Sequence, residues 1–262
     1  MFYLKQSSIW AECSNSVVIS SSAWLQSLHL RPLSGSGSYQ PWRDGGHVKV
    51  AVLSSGGKDS SAAIWWAQCK GWDLTHLVTV LVEGDDSWMF QIPGVSLVER
   101  QAELCNCQWL SVSSQGVPDE EITDLENGLK ELDIDAIVSG ALRSDYQKTR
   151  IERMAERLGI KSFTPLWHQS SESHMSGLVE NGFQVMISGV SSEGLGKEWL
   201  GHTLTTDSLE ELSLLAAKYR FNVDGEGGEY ETLVTAGPHM NGSLDLQYEI
   251  HWDGVRGHLE FQ

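Results

Sequence analysis

A chain of 262 residues carries 35 Asp and Glu against 18 Lys and Arg, a formal net charge of −17, with 40% hydrophobic residues and 11 Trp. That length and apolar content build one large domain or two modest ones. The acidity argues against binding to polyanions, whose phosphates need Lys and Arg to displace counterions, although a solvated acidic surface gives the same charge. Cys13, Cys69, Cys105 and Cys107 include no C-x-x-C pair, and the Cys105-x-Cys107 spacing is wrong for an ordinary zinc or iron–sulfur site. Free thiols in a cytoplasmic protein are the expectation. No apolar run approaches the ~18 residues of a membrane span, and no secretory leader is expected.

Residues 1–46 are rich in Ser and Gly, with Ser34-Gly35-Ser36-Gly37-Ser38, Pro41 and Gly45-Gly46 as breakers. They read as an N-terminal extension: poorly ordered, a misassigned start, or a small accessory element. From Val48 the pattern becomes regular. Val48 to Leu53 predicts a buried strand, Ser60 to Cys69 a helix ended by Gly71, and Leu77 to Val82 a second strand. Ser96 to Cys105 predicts a helix, Trp109 to Val112 a strand, and Pro118 opens a helix whose first turn carries Asp119, Glu120 and Glu121. Ala136-Ile137-Val138 is a fourth strand, and Ser144 to Leu158 a helix stopped by Gly159.

This alternation predicts an α/β fold: a Rossmann-like parallel sheet with helices on both faces over residues 47–163. Ligands of such sheets sit beyond the carboxyl ends of the strands. The polar clusters Ser54–Ser60, Glu83–Asp86 and Ser139–Tyr146 are therefore expected to converge on one crevice. A smaller α+β domain is expected over 164–262. In it, Met175 to Glu180 reads as a helix and Phe183 to Ser188 as a strand. Ser208 with Glu211 reads as a capping box for a helix running to Tyr219. Leu244, Leu246, Tyr248, Ile250 and Trp252 alternate with polar residues, predicting a half-buried strand, and Gly254 to Gly257 turn the chain into a closing hairpin through Leu259 and Phe261.

The strongest chemical signal is a strand followed by Ser54-Ser55-Gly56-Gly57-Lys58-Asp59-Ser60 and a helix. Glycines let backbone approach an anion closely. The helix start offers free N–H groups and the positive end of its dipole. Lys58 adds a point charge, and the Ser55 and Ser60 hydroxyls can donate, a set suited to charge building on a leaving pyrophosphate. The order differs from a P-loop, because Lys58 follows a Gly-Gly pair and precedes an acid. Asp59 has two readings, a Mg²⁺ ligand or a helix cap.

The loop resembles the S-G-G-x-D-S loop of the ATP-pyrophosphatase superfamily (HUP, or adenine nucleotide alpha hydrolase-like), whose members split ATP to AMP and pyrophosphate. Two further stretches narrow the resemblance. Ser139-Gly140-Ala141-Leu142-Arg143-Ser144-Asp145-Tyr146-Gln147-Lys148-Thr149-Arg150-Ile151-Glu152, followed by Arg157-Leu158-Gly159, and the later Gly225-Glu226-Gly227-Gly228-Glu229-Tyr230-Glu231-Thr232 both resemble signatures of the diphthine–ammonia ligase family. Glu83 to Pro93, with Ser87-Trp88-Met89-Phe90, and Trp199-Leu200-Gly201 look like the archaeal branch.

The resemblance implies that the diphthine carboxylate of translation elongation factor 2 attacks the α-phosphorus of ATP. Ammonia then displaces AMP from the acyl adenylate. It implies nucleotide contacts from Ser54 to Ser60 and from Ser139, Gly140, Ala141, Ser144, Tyr146, Gln147 and Arg150, with Mg²⁺ held by Asp59. Lys148 and Arg150 are candidates to reach phosphate, with an ion pair to Glu152 or a neighbour as the plain reading of Arg150. Lys58, Asp59, Glu226 and Glu229 are the expected catalytic residues, and Trp88, Gly225, Gly227, Gly228, Glu231 and Thr232 the substrate contacts.

The acidic loop has three readings besides a solvated turn: metal, ammonium, or the quaternary ammonium of diphthine, the last helped by Tyr230, Trp88 or Tyr146. Trp88-Met89-Phe90 reads as a lid or as core, Cys105 and Cys107 as buried thiols, and His168, His174 and His202 as structural or surface residues. With no glutaminase motif in the sequence, free ammonium is the expected nitrogen donor. No membrane and no direct nucleic-acid partner are expected. A tRNA-modifying relative, a turnover-free nucleotide sensor and an amide ligase for another carboxylate are the rival readings.

Overall fold

A computed structural model describes residues 9–10, 48–82, 97–115 and 118–262. Trp88, the Glu83–Asp86 cluster, Cys13 and most of residues 1–46 lie outside the described residues. The first sheet contains β1 (Lys49–Leu53), β2 (Asp73–Val82), β3 (Gln108–Ser114), β4 (Ala136–Val138) and β5 (Lys161–Phe163), in the order β3-β2-β1-β4-β5. Every pairing in it is parallel. Helices α1 (Lys58–Cys69), α2 (Leu97–Leu104), α3 (Pro118–Leu129) and α4 (Asp145–Leu158) connect the strands.

The period of two along each strand explains why both faces are covered. Val50, Val52 and Leu77 join one apolar cluster with Ala62, Ala63 and Ile64 of α1. Their neighbours Ala51, Val78 and Ile137 face the other side, against Leu125 and Leu129 of α3 and Ile151 and Met154 of α4. Helix α4 has both its ends marked in the sequence. Ser144 caps it by accepting from Gln147 N, and Gly159 closes it in the left-handed region at φ +70°.

The C-terminal part comprises α5 (Ser171–Glu180), β6 (Gln184–Val190), a short 3₁₀ turn (Lys197–Trp199), α6 (Thr206–Tyr219), β7 (Tyr230–Ala236), β8 (Tyr248–Trp252) and β9 (Gly257–Phe261). Its strands form a four-stranded antiparallel sheet in the order β7-β6-β9-β8. The first apolar cluster continues into this part through Leu212, Val234 and Phe261. Among the described residues, no helix is long and apolar enough to cross a membrane.

Three expectations need correction. The cap of α6 is Thr205, one turn earlier than Ser208: Thr205 Oγ1 accepts from Ser208 N while Ser208 Oγ accepts from Thr205 N. Ser208 is thus the third residue of the helix, and the box does not need Glu211. The alternating stretch from Leu244 splits in two. Leu244 donates its N–H to Thr235 O on β7, and only Tyr248–Trp252 pairs with β9. Ile250 is 39% exposed on this edge strand. Finally, β7 begins inside the glycine-rich motif, so Tyr230, Glu231 and Thr232 are strand residues.

His239 carries a pH consequence. Its ring is buried, stacks 5.2 Å from Phe183, and has no hydrogen-bond partner at either nitrogen among the described residues. Burial pushes its pKa down to about 3. The unfolded chain binds this proton at a pKa of about 6.5 and the folded chain does not, so stability falls as pH drops below about 6.5 and keeps falling until about 3. Taking the protein from pH 7 to pH 5 is expected to cost about 2 kcal/mol through this one group. Denaturant melts at both pH values check it, with His239→Phe expected to remove the difference.

Candidate active site

The strand order reverses between β1 and β4, which places a crevice at their carboxyl ends. Two expected segments meet there. Gly140, just past β4, sits so close to the start of α1 that a Cβ on it would lie 2.6 Å from Asp59 C and 2.8 Å from Ser60 N.

The Ser54–Ser60 turn is built by its own side chains. Ser54 Oγ accepts from Gly56 N at 3.2 Å, and Ser60 Oγ donates to Gly57 O at 3.0 Å. Gly56 takes φ +82°, which a side chain resists. Its carbonyl accepts from Gln101 Nε2 of α2 and from Val234 N of β7, both at 3.0 Å. Thr232 Oγ1 accepts from Lys58 N at 3.2 Å. Strand β7 of the C-terminal sheet therefore braces the loop of the N-terminal one. Gly57 is the N-cap of α1 and has no side chain to occupy the first-turn N–H groups.

The charged centre lies at the first turn of α1. Lys58 is 6% exposed, and its Nζ donates to Asp59 Oδ2 at 2.9 Å and lies 6.0 Å from the Tyr230 ring centroid. Asp59 Oδ1 accepts from His174 Nε2 at 2.7 Å. Burial alone would raise the Asp59 pKa, but the Lys58 charge and the His174 hydrogen bond overcome it and hold the carboxyl at about 2. Burial likewise works against the Lys58 charge, yet Asp59, Glu226 and Asp224 keep its pKa above the ordinary value. The Asp59 carboxylate thus serves Lys58 and His174 instead of capping the helix.

A second ion pair ties the Gly140 segment to the C-terminal part. Arg143 Nη1 reaches Asp224 Oδ2 at 2.8 Å, with Asp224 fully buried, while Arg143 Nη2 donates to Ser171 Oγ at 2.8 Å. Burial opposes the Asp224 charge, but Ser171 and Arg143 hold its pKa below the usual carboxylate range.

The glycine-rich loop separates its acids into different jobs. Glu229 accepts from Asn222 N and Nδ2 at 2.8 Å through Oε1 and from Gly227 N at 2.7 Å through Oε2. Both oxygens are engaged in building the loop. Gly225 and Gly228 take φ +72° and +79°. Glu226 is exposed and points its field at the centre. Partial burial and the Asp59 charge raise its pKa, Lys58 pulls the other way, and Asp224 raises it further. Glu231, exposed on β7, is raised by crowding protein, with Lys58 opposing and Asp59 adding.

The remaining expected contacts are placed less centrally. Ser139 Oγ is buried without a hydrogen-bond partner among the described residues, at the carboxyl end of β4. Ser144 is committed to its helix cap. Tyr146 is 58% exposed and carries the Arg150 guanidinium 4.0 Å above its ring. Lys148 pairs with Glu152 on the same helix. Ala141 lies between β4 and that helix, and Gln147 N donates to Ser144 Oγ in the helix's first turn.

Residues 48–162 match the diphthamide synthase N-terminal domain, and residues 170–262 match its C-terminal domain. The chain belongs to the diphthamide synthase family. Relatives named diphthine–ammonia ligase share 30% identity over 207 residues in Schizosaccharomyces pombe, 30% over 211 in Homo sapiens and 29% over 239 in Saccharomyces cerevisiae. The human match covers 71% of this chain and 78% of the relative. The chain spans about a third of the two yeast relatives, 34% in each case. In this member of the family both matched domains contribute to one centre: Lys58, Asp59 and Arg143 from the first, His174, Asp224 and Glu226 from the second.

The sequence marks His174 only as a structural or surface residue and does not single out Arg143 or Asp224 for the site. His174 stands alone in Ser-Glu-Ser-His-Met with no ligand spacing, and its partner is far away in the chain. Arg143 lies inside the Ser139–Glu152 stretch and Asp224 directly precedes Gly225. A charged residue bordering a glycine motif was the available signal for both.

Proposed function

We propose that the protein is an ATP-dependent diphthine–ammonia ligase. It activates the diphthine carboxylate of elongation factor 2 as an acyl adenylate, releases pyrophosphate, and lets ammonia, formed from free ammonium by loss of a proton, displace AMP to form diphthamide. The observation that carries this reading is the Ser54–Ser60 turn at the sheet's reversal point, with Lys58 inside it and Thr232 of the glycine-rich motif bonded to its backbone. The family membership supplies the substrate class. Residues 47–163 would hold the nucleotide and 164–262 would present the substrate.

The chain's own groups divide the work. Lys58 and the first-turn N–H groups of α1 stabilise the charge that develops on the leaving pyrophosphate. His174 and Asp59 hold Lys58 in place, which removes the cost of orienting it during the reaction. Ser139, buried with an unpaired hydroxyl, offers a polar contact to the nucleotide. Glu226, exposed beside Lys58 and Asp59, is the carboxylate that would hold Mg²⁺ beside the phosphates, with Asp59 joining it only by giving up its contact with Lys58 or His174. Bound there, Mg²⁺ supplies charge neutralisation on the phosphate oxygens. The same negative field suits an incoming ammonium. The reaction belongs where elongation factor 2 works, in the cytoplasm.

Diphthine-bearing elongation factor 2, ATP, Mg²⁺ and ammonium are incubated with the protein, and the factor is read by mass spectrometry. Conversion of the carboxylate to the amide with one AMP per amide is expected. Unmodified factor and no AMP contradict the reading. In the same assay Glu226→Gln is expected to lower the rate about 10-fold or more with little change in stability. Glu229→Gln, which breaks loop hydrogen bonds, should instead lower the melting temperature, costing about 1–3 kcal/mol. Equal kinetic losses with unchanged stability in both variants would reject this division of roles.

A further inference from the structure

Trp10 belongs to the expected N-terminal extension, outside both matched domains, yet it is 7% exposed and helical with Ile9, itself 4% exposed. Its indole meets three rings. Trp65 of α1 lies at 5.7 Å between centroids, His174 of α5 at 5.9 Å and stacked, and Phe183 at 5.9 Å edge-on. Trp65 stands on the helix that begins with Lys58 and Asp59. His174 stands on the helix that answers Asp59 across the site. Trp10 is therefore seated between the two helices whose separation sets the 2.7 Å contact of His174 Nε2 with Asp59 Oδ1.

Gly177 shows that the seat is built for an indole. It lies three residues after His174, on the same side of α5, and a Cβ on it would overlap Nε1, Cε2 and Cδ1 of Trp10. A glycine inside a helix costs roughly 1 kcal/mol relative to alanine. Here that residue makes room for the ring. The ring also covers His174, which is fully buried and has no partner on Nδ1 among the described residues.

We propose that Trp10 is a positioning residue: a spacer from the N-terminal segment that fixes α1 against α5 and so holds His174 on Asp59 and Asp59 on Lys58. It touches neither nucleotide nor acceptor. The kinetic consequence rests on the reading of the Ser54–Ser60 turn as the place of ATP cleavage. The geometric consequence does not.

The test uses the full chain and has two arms. In the first, histidine-labelled protein is followed by NMR, the His174 Nε2–H signal being the one lost in His174→Gln. Exchange of that proton with water is expected to speed up about 10-fold or more in Trp10→Ala and to stay within about twofold of wild type in Trp10→Phe, because loss of the cover opens the pair locally. Equal exchange in wild type and Trp10→Ala overturns the proposal, whatever the enzyme turns over. Should Trp10→Ala fail to fold, Gly177→Ala displaces the indole without removing it and is read in the same way.

In the second arm kcat for AMP formation falls about 10-fold in Trp10→Ala while KM for ATP stays within about twofold, and Trp10→Phe restores most of the rate. Adding Trp10→Ala to His174→Gln lowers kcat no further. Additive losses, or a wild-type kcat in Trp10→Ala, overturn the spacer. An inactive wild-type chain counts against the ligase reading alone, and the exchange arm then decides the spacer.

Discussion

Lys58→Ala is expected to lower AMP formation by about 10²–10³-fold, the scale seen when one preorganised donor to a developing anion is removed. Lys58 is almost fully buried in the first turn of α1, and its Nζ is already oriented by Asp59. No reorganisation is needed when charge builds on the leaving group. The variant should keep its secondary structure by circular dichroism, since the backbone of the turn is held by Gly56 O and Thr232 Oγ1 and not by the lysine side chain. It also leaves Asp59 with only His174, so the carboxyl pKa should rise from about 2. The Asp59 charge stabilises the fold above its unfolded pKa, and this contribution is lost as pH falls through the folded value. In the variant that contribution should therefore be smaller, and its loss complete at a higher pH. Steady-state AMP assays and acid melts of the two proteins check both halves, and unchanged turnover contradicts the assignment of the loop.

The second large effect is expected at Gly140. A methyl group there would press within 2.7 Å of Asp59 O and 2.8 Å of Ser60 N, backbone atoms that cannot rotate away. Either the segment after β4 or the start of α1 must move. Overpacking of this kind costs about 1–3 kcal/mol. A shift near 1 Å at the Ser54–Ser60 turn is expected to cost about 100-fold in rate. Gly159→Ala is the control. Gly159 takes φ +70° with open space around its Cβ position, so the substitution strains the backbone by about 1–2 kcal/mol and should leave the rate intact. Comparable rates for Gly140→Ala and wild type would mean that the two loops do not form one site.

The parts legible in the sequence were those whose signals are local. The run from Val50 to Leu53 is apolar without interruption and is followed by Gly56-Gly57, so strand, turn and helix announce themselves together. Ser144 and Gly159 mark α4 because a cap and a left-handed stop are properties of single residues. Strand β5 escaped because Lys161-Ser162-Phe163, unlike the equally short Ala136-Ile137-Val138, has no apolar run and pairs only with β4. Strand β7 escaped because its first residues complete a glycine-rich motif that reads as a turn, and pairing with β6 overrides that reading.

The centre itself was half legible. Lys58 and Asp59 could be named from the turn they occupy. The fate of the Asp59 carboxylate could not, because it is decided by His174, 115 positions along the chain. Glu226 and Glu229 look alike in sequence. Only the backbone around Asn222 and Gly227 shows that one builds the loop while the other faces the charges. Trp10 sits in a Ser- and Gly-rich stretch with no periodicity, so nothing local marks it as part of the core.

The central claim is that the turn from Ser54 to Ser60 grips the phosphates of ATP. A crystal structure with an α,β-methylene analogue of ATP and Mg²⁺ tests it most directly. The β- and γ-phosphates are expected against the first turn of α1, with Lys58 Nζ within hydrogen-bond reach and Glu226 turned toward them. A triphosphate bound elsewhere, with Ser54–Ser60 empty at saturating analogue, contradicts it.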